Sequence, residues 1–289
     1  MPVITIIKYI EDILSFTVNT YHAVSGGDIN QAYQLNTSRG KYFLKVNSFD
    51  RYPYMFLREK EGLEAISASQ TIKVPEVILQ SEVDSDSFLL LEWIDSVQPT
   101  NNNLRKLGEQ LAKLHKVSNE HFGFSTDNFI GSLHQANKIN EDWTDFFIEE
   151  RIAPLLRLAF DARLLSKHDV KDFEELHSKL PDIYPKEQPA LVHGDLWGGN
   201  YLINNGGNPY LIDPAVYYGN REMDIATTKL FGGFGDVFYE GYNTTYPLQP
   251  GWEQRVKLWN LYPLLVHVNL FGGTYVHQLQ ATLRAALVI

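Results

Sequence analysis

Residues 191–213 read LVHGDLWGGNYLINNGGNPYLID, from Leu191 to Asp213. The apolar start, ending at Val192, predicts a short strand that runs into the glycine-rich loop His193-Gly194-Asp195-Leu196-Trp197-Gly198-Gly199-Asn200. Tyr201-Leu202-Ile203 and Tyr210-Leu211-Ile212 predict two further strands around the turn-rich stretch 204–209. A hairpin here sets Asn200, at the start of one strand, close to Asp213, at the end of the other. Asp195 then sits on the loop just before them. One acid, one amide and one further acid are hard oxygen ligands of the kind magnesium takes, the rest of its shell coming from water and phosphate.

Singly, these signals are weak. An aspartate beside glycine is most often a turn residue, and an asparagine after Gly-Gly is most often a loop cap. The set carries more, because Asp195 and Asn200 stand at the interval found in the catalytic loop of kinases, H-R-D-x-x-x-x-N. Phosphoryl transfer needs a carboxylate near the incoming hydroxyl, and oxygen ligands for a metal that neutralises the triphosphate.

Upstream of this stretch, residues 33–35 and 42–46 are short β-type runs flanking a turn-rich connection, Asn36 to Gly40, which predicts a hairpin. Residues 55–67 read as a helix with Leu57, Leu63 and Ile66 facing inward, and residues 74–79 and 88–94 read as two more strands. Asn101, Asn102 and Asn103 read as a polar joint. Beyond them leucines recur three or four apart over 104–116, and residues 143–160 form another helix with Pro154 as a kink or break. A β-rich first third and a helix-rich remainder predict an α+β fold of two lobes meeting near residues 95–100, with a cleft at the joint.

The 289 residues are 44% hydrophobic and 21% charged, the balance of a soluble globular protein with a sizeable core. Twenty-five basic against 35 acidic residues sum to −10 at pH 7, which argues against a nucleic-acid-binding surface. The absence of cysteine excludes disulfides, thiolate metal sites and a cysteine nucleophile. The first 16 residues read as an amphipathic helix, since Lys8, Glu11 and Asp12 interrupt Ile4, Ile7, Ile10 and Ile13, so no signal peptide is expected. No run of 18 uncharged apolar residues predicts a membrane span, and the expected location is the cytoplasm.

His193-Gly194-Asp195, Asn200 and Ile212-Asp213-Pro214 together resemble the aminoglycoside phosphotransferase and choline kinase branch of the protein-kinase-like fold. More narrowly, LVHGDLWGGN (191–200), IDPAVYYGNREMDIA (212–226), NFIGSLHQANKINEDW (128–143) and LLVHVNLFG (264–272) resemble the fructosamine kinase family, the ketosamine or ribulosamine 3-kinases. The resemblance runs from Ser25 to about Tyr275. It implies a bilobal fold, with residues 1–96 as the nucleotide-binding lobe and 97–289 as the catalytic and acceptor-binding lobe.

The resemblance also implies roles. Lys45 matches the strand lysine that binds ATP phosphates, with Glu59 as its partner; Glu61 is the alternative, because one helical turn cannot be phased from sequence. Without the resemblance, Lys45 reads as a solvent-facing lysine on an edge strand. Gly26 and Gly27 match the loop over the phosphates, although Ser25-Gly26-Gly27-Asp28 is not the G-x-G-x-x-G form. Glu92, Trp93 and Ile94 match the hinge that pairs with adenine. Asp195 would take or orient the proton of the acceptor hydroxyl, and Asn200 and Asp213 would hold Mg2+. His193 is expected to be structural, and Asp224 to support the loop from below. Trp197 either packs its indole against a sugar or is buried in the core; the residues leave both open.

Pro154-Leu155 and Pro263 depart from the family pattern in regions expected to border the acceptor, and His267 and Asn269 are further candidates there. The implied activity is ATP-dependent phosphorylation of the third sugar carbon of ketosamines, small or protein-bound; the sequence leaves the oligomeric state open, with a monomer as the default. The alternatives are an aminoglycoside or choline-type kinase, a nucleotide-binding pseudokinase, and a hydrolase using Asp195 and His193.

Overall fold

The computed structural model describes residues 2–24 and 29–289, so Gly26 and Gly27 lie outside the described residues. Helix α1 (Pro2–Leu14) is amphipathic as expected. The face it buries is Val3, Ile6, Ile7 and Ile10, while Ile4 and Ile13 point to solvent. Those side chains share a core with Leu35, Leu44, Phe88 and Leu90 of the sheet.

That sheet is antiparallel and five-stranded. It contains β1 (Val18–Ala23), β2 (Gln31–Thr37) and β3 (Gly40–Ser48), then, after helix α2 (Met55–Ala68), β4 (Val77–Val83) and β5 (Asp86–Glu92), in the order β1-β2-β3-β5-β4. The β2–β3 hairpin is tighter than the sequence suggests, since Thr37 already pairs with Gly40. β3 lies at the centre of the sheet, which removes the edge-strand reading of Lys45. β4 begins later than its apolar run, because the preceding segment docks elsewhere: the Leu211 amide donates to the Lys73 carbonyl at 2.9 Å. Trp93 and Ile94 follow β5 and are not part of it.

Helix α3 (Asn101–Leu114) begins with the asparagine tract. Thr100 and Asn103 form a capping box, the Asn103 amide donating to Thr100 Oγ1 and the Thr100 amide to Asn103 Oδ1. The supposed joint is therefore a first helical turn, whose otherwise orphaned N–H groups the cap satisfies. A small hairpin, β6 (Asn128–Ile130) and β7 (Leu133–Gln135), leads to α4 (Trp143–Phe146), a π-helical stretch (Phe147–Ile152) and α5 (Ala153–Asp161). The chain stays helical through Pro154. The wide turn lies just before the proline, which has no N–H to donate to it.

After α6 (Lys167–Ile183) come β8 (Ala190–Val192), β9 (Tyr201–Ile203), β10 (Pro209–Leu211) and β11 (Tyr217–Gly219). The chain ends with helices α7 (Glu222–Leu230), α8 (Asp236–Thr245), α9 (Trp252–Trp259), α10 (Leu261–Phe271) and α11 (Thr274–Ala286). One core fills the helical part around Phe146, Phe147, Trp259 and Leu264. A second joins Ile66 of α2 and Ile72 to Leu107, Leu111, Leu191, Leu211 and Phe238. Among the described residues no helix is long and apolar enough to cross a membrane.

Candidate active site

The glycine-rich loop is built between β8 and β9 and pinned from three sides. Asp224 on α7 accepts the backbone N–H groups of His193 (2.7 Å) and Gly194 (2.9 Å), and lies 3.1 Å from His115 Nε2. Although burial opposes ionisation, the His115 hydrogen bond and the His193 amide hold Asp224 below its ordinary pKa, so it remains a carboxylate. Asp224 thus supports the loop from below. It is in turn placed by Glu222 and Arg221 beside it. Glu222 accepts from Arg255 and Trp259, and Arg221 pairs with Glu187 at 2.7 Å, all of these groups largely buried.

His193 is fully buried. Its Nε2 donates to the Ile212 carbonyl at 2.9 Å, and its Nδ1 accepts the Asp195 N–H at 3.3 Å. Burial pushes its pKa down, so the ring is neutral and ties the loop to the end of the β9–β10 hairpin. At Gly194, with φ +86°, any Cβ would collide with the Ala215 carbonyl; only glycine fits there. The resulting turn leaves Asp195 half-buried. Burial, and then the nearby Asp213 carboxylate, push the Asp195 carboxyl up to about 7.

Asn200 donates Nδ2 to both the Asp195 carbonyl (2.7 Å) and Asp195 Oδ2 (3.1 Å), and its own carbonyl accepts the Ile212 N–H at 3.1 Å. The hairpin thus sets Asn200 beside the strand end that carries Asp213. With its nitrogen turned to Asp195, the Asn200 amide presents its oxygen away from that carboxylate. Asp213 takes φ +53°, a left-handed conformation uncommon for residues other than glycine but one that aspartate tolerates better than most. Among the described residues, no three histidine or acidic side chains gather into a self-sufficient metal site. One carboxylate and one amide oxygen are instead the kind of incomplete set that a phosphate-bound cation completes.

Lys45 meets this group from the sheet. Its Nζ lies 2.8 Å from both Glu59 oxygens and 2.8 Å from Asp213 Oδ1, and the residue is only 5% exposed. Burial alone would lower its pKa, but the Asp213 and Glu59 carboxylates hold the ammonium well above its ordinary value. Two carboxylates face one cation, and burial pushes Glu59 up to about 7. Glu61 is turned away to Arg58 (2.6 Å) and Thr126 (2.9 Å), so the helical phase favours Glu59. The direct Lys45–Asp213 contact spans 168 positions, and no local pattern announces it.

Glu92 closes β5 against Glu76, donating its N–H to the Glu76 carbonyl at 2.9 Å and accepting the Glu76 N–H at 3.2 Å. Trp93 donates its indole N–H to Asp95 and leans on Phe43, with ring centroids 6.2 Å apart. The backbone N–H of Ile94 makes no hydrogen bond among the described residues. Trp197 is 42% exposed, which excludes core burial; the indole folds back over Gly199, where a Cβ would strike the ring.

Sequence reasoning assigned no role to a brace behind the loop. Asn128 donates to the Val216 carbonyl (2.8 Å), and Gln135 donates to Asn128 and to the Ala215 carbonyl (3.1 Å) while accepting from Tyr262. This fixes the backbone that follows Asp213. Asn269 is occupied within the helical part, donating to the Leu155 and Leu265 carbonyls, and so is not free to meet an acceptor through its nitrogen.

Residues 5–288 match the family described as fructosamine kinase. A probable ketoamine kinase of Synechocystis is 42% identical over 275 residues, covering 95% of this chain and 92% of that protein. A chloroplastic protein-ribulosamine 3-kinase of Arabidopsis thaliana is 37% identical over 88% of this chain and 78% of its own length. The crystal structure of a Thermobifida fusca protein described as a fructosamine-3-kinase superposes with a TM-score of 0.89 at 33% identity, covering 99% of both chains. The aminoglycoside phosphotransferase APH(4)-Ia superposes at 0.67 with 16% identity, over 98% of this chain and 99% of that one, which shows the shared protein-kinase-like fold alone. The chain belongs to the fructosamine kinase family.

Proposed function

We propose that this protein is an ATP- and magnesium-dependent kinase that phosphorylates the third sugar carbon of ketosamines, such as ribulosamine or fructosamine adducts of lysine. The family, and relatives named ketoamine kinase and protein-ribulosamine 3-kinase, support the substrate class. The observation that carries the chemistry is Asp195, half-buried with a raised pKa and bonded to Asn200, beside the Lys45–Glu59–Asp213 cluster.

In this reading residues 1–96 bind the nucleotide and 97–289 hold the acceptor. Adenine pairs with the backbone beyond Glu92, at Trp93 and Ile94. Lys45, positioned by Glu59, meets phosphate oxygens as a fixed point charge. Asn200 and Asp213 present oxygens to Mg2+, which when bound supplies charge neutralisation for the phosphates. Asp195 accepts the proton of the acceptor hydroxyl as that oxygen bonds to the γ-phosphorus of ATP and the bond to the bridging oxygen breaks, releasing ADP, and the exposed Trp197 packs against the sugar. The phosphorylated adduct is unstable and releases the amine, so the consequence is deglycation.

The test is ADP release with magnesium and ATP on ribulosyl-lysine, erythrulosyl-lysine, fructosyl-lysine, kanamycin, choline and a no-acceptor control. Turnover confined to the sugar-lysine adducts is expected. Turnover on kanamycin or choline alone would reject the ketosamine acceptor. No turnover on any acceptor, with ATP still bound, would make the protein a pseudokinase.

A further inference from the structure

A patch of aromatic side chains lies beside the catalytic loop. Phe231 caps the end of α7, His267 and Phe271 lie on α10, and Tyr275 lies on α11. Their rings form a continuous surface, with centroids 4.7 Å apart for Phe231–His267, 5.5 Å for His267–Phe271, 4.9 Å for His267–Tyr275 and 5.9 Å for Phe271–Tyr275. Rings packed on one another are normally buried. Here Phe231 is 38% and Phe271 53% exposed.

The patch is placed by two close approaches. Gly232 and Gly233, which follow Phe231, lie against the loop that carries Trp197: a Cβ on Gly198 would stand 3.2 Å from the Gly232 carbonyl oxygen and 3.3 Å from Gly233 Cα. Tyr201 reinforces this junction by donating to the Gly233 carbonyl at 3.1 Å. On the other side, a Cβ at Gly131 would meet Leu270 Cδ1 at 3.0 Å and Ile29 Cδ1 at 3.6 Å. Phe231 thus leads directly into the glycines that lie on the catalytic loop, and the end of α10 packs at the turn of the β6–β7 hairpin, with Ile29 nearby.

Its chemistry is that of a surface for a cation on an apolar stem. His267 donates Nδ1–H to the Pro263 carbonyl at 2.7 Å, and burial pushes its pKa down, so it adds no positive charge. What remains is a set of ring faces with negative quadrupole potential. A ketosamine differs from a free ketose by a secondary amine, protonated near neutral pH, and by the methylenes of the amine's carrier. Cationic nitrogen over an aromatic face, and methylenes beside it, are what such rings attract.

We propose that Phe231, Phe271 and Tyr275 form the shelf that receives the amine side of the acceptor and thereby select a ketosamine over the corresponding free ketose. This rests on the kinase reading above. The test is kcat/KM for ribulosyl-lysine and for free ribulose at saturating magnesium and ATP. It compares the parent with Phe231→Ala, Phe271→Ala, Phe271→Leu and Phe271→Tyr.

The ratio of the two kcat/KM values is expected to fall about tenfold in Phe271→Ala, mainly through KM for the adduct. Phe271→Leu keeps the apolar bulk and is expected to lower the ratio in the same direction. Phe271→Tyr, which keeps the ring, is expected to preserve it. Phe271 is more than half exposed, so these variants are expected to melt close to the parent. Unchanged ratios in both alanine variants would overturn the shelf and leave the kinase standing. A parent that phosphorylates neither compound would overturn the kinase reading and the shelf with it.

Discussion

At Asp195 the environment and the chemistry pull on the same proton. A base that takes a proton from a hydroxyl works best with a pKa near the working pH, and burial together with the Asp213 charge pushes Asp195 up to about 7. The sign follows: below about 7 the carboxyl holds its own proton and cannot accept another. The kcat/KM for the acceptor should therefore rise with pH through about 7 and level off above it. If Asp213 holds magnesium as proposed, the ion neutralises one cause of the upward shift, so increasing magnesium should move that acid limb to lower pH. A profile flat from pH 5 to 8 would remove Asp195 from the proton transfer. Asp195→Asn is expected to lower kcat by roughly 10²–10⁴-fold, the range associated with a general base. Its nucleotide affinity should stay near that of the parent, because Lys45, Glu59 and Asp213 remain. Rapid-quench turnover with parallel nucleotide titration separates the two effects.

Among the elements, α3 and α8 pack with almost no side chain between them at two points. A Cβ on Gly108 would strike the Phe238 carbonyl, and one on Gly241 the Arg105 carbonyl. Gly108→Ala gains about 1 kcal/mol of helix propensity. Against that, overpacking costs about 1–3 kcal/mol or more, and a backbone carbonyl yields less than a flexible side chain. The loss should win, lowering the urea midpoint with the m-value unchanged; a midpoint equal to the parent's would mean the two helices separate freely. Glycine 108 also shows what the sequence could not express. The leucine face of α3 was legible from its 3.6-residue period, as were the hairpin holding Asn200 and the amphipathic α1. The carboxylate–amide spacing singles out Asp195 and Asn200 from the sequence alone. Contacts that depend on distant chain segments were not legible: Asp224 to His115, Gln135 to the Ala215 carbonyl, Lys45 to Asp213. The phase of α2 belongs to the same class, because Glu59 and Glu61 are equivalent until the sheet shows which one faces Lys45. The strand after α2 starts at Val77, later than its apolar run, because residues near Lys73 pair with β10, a competition that no local periodicity records.

For the whole molecule, the question is whether the sheet-bearing first third behaves as a separate folding unit. The contacts argue against it. Ile66 and Ile72 are buried in the same core as Leu107, Leu111, Leu191 and Leu211. A Cβ on Gly62 of α2 would stand 3.3 Å from Pro214 Cγ, Thr126 donates to Glu61 at 2.9 Å, and Lys45 reaches Asp213. Unfolding the sheet alone would expose that shared core and leave Asp213 without its buried counter-ion, so neither part has a stable state without the other. Calorimetry should therefore show one transition, with equal calorimetric and van't Hoff enthalpies. Magnesium and ATP together at a hundredfold excess over Kd add about 2.7 kcal/mol, which should move that single transition up by about 5 °C. If Asp213 holds magnesium as proposed, ATP without magnesium should move it less, because the carboxylate then repels the phosphates instead of sharing a cation with them. Two resolved transitions, with only the lower one shifted by nucleotide, would show that the contacts of α2 are too weak to couple the halves and that the first third folds on its own.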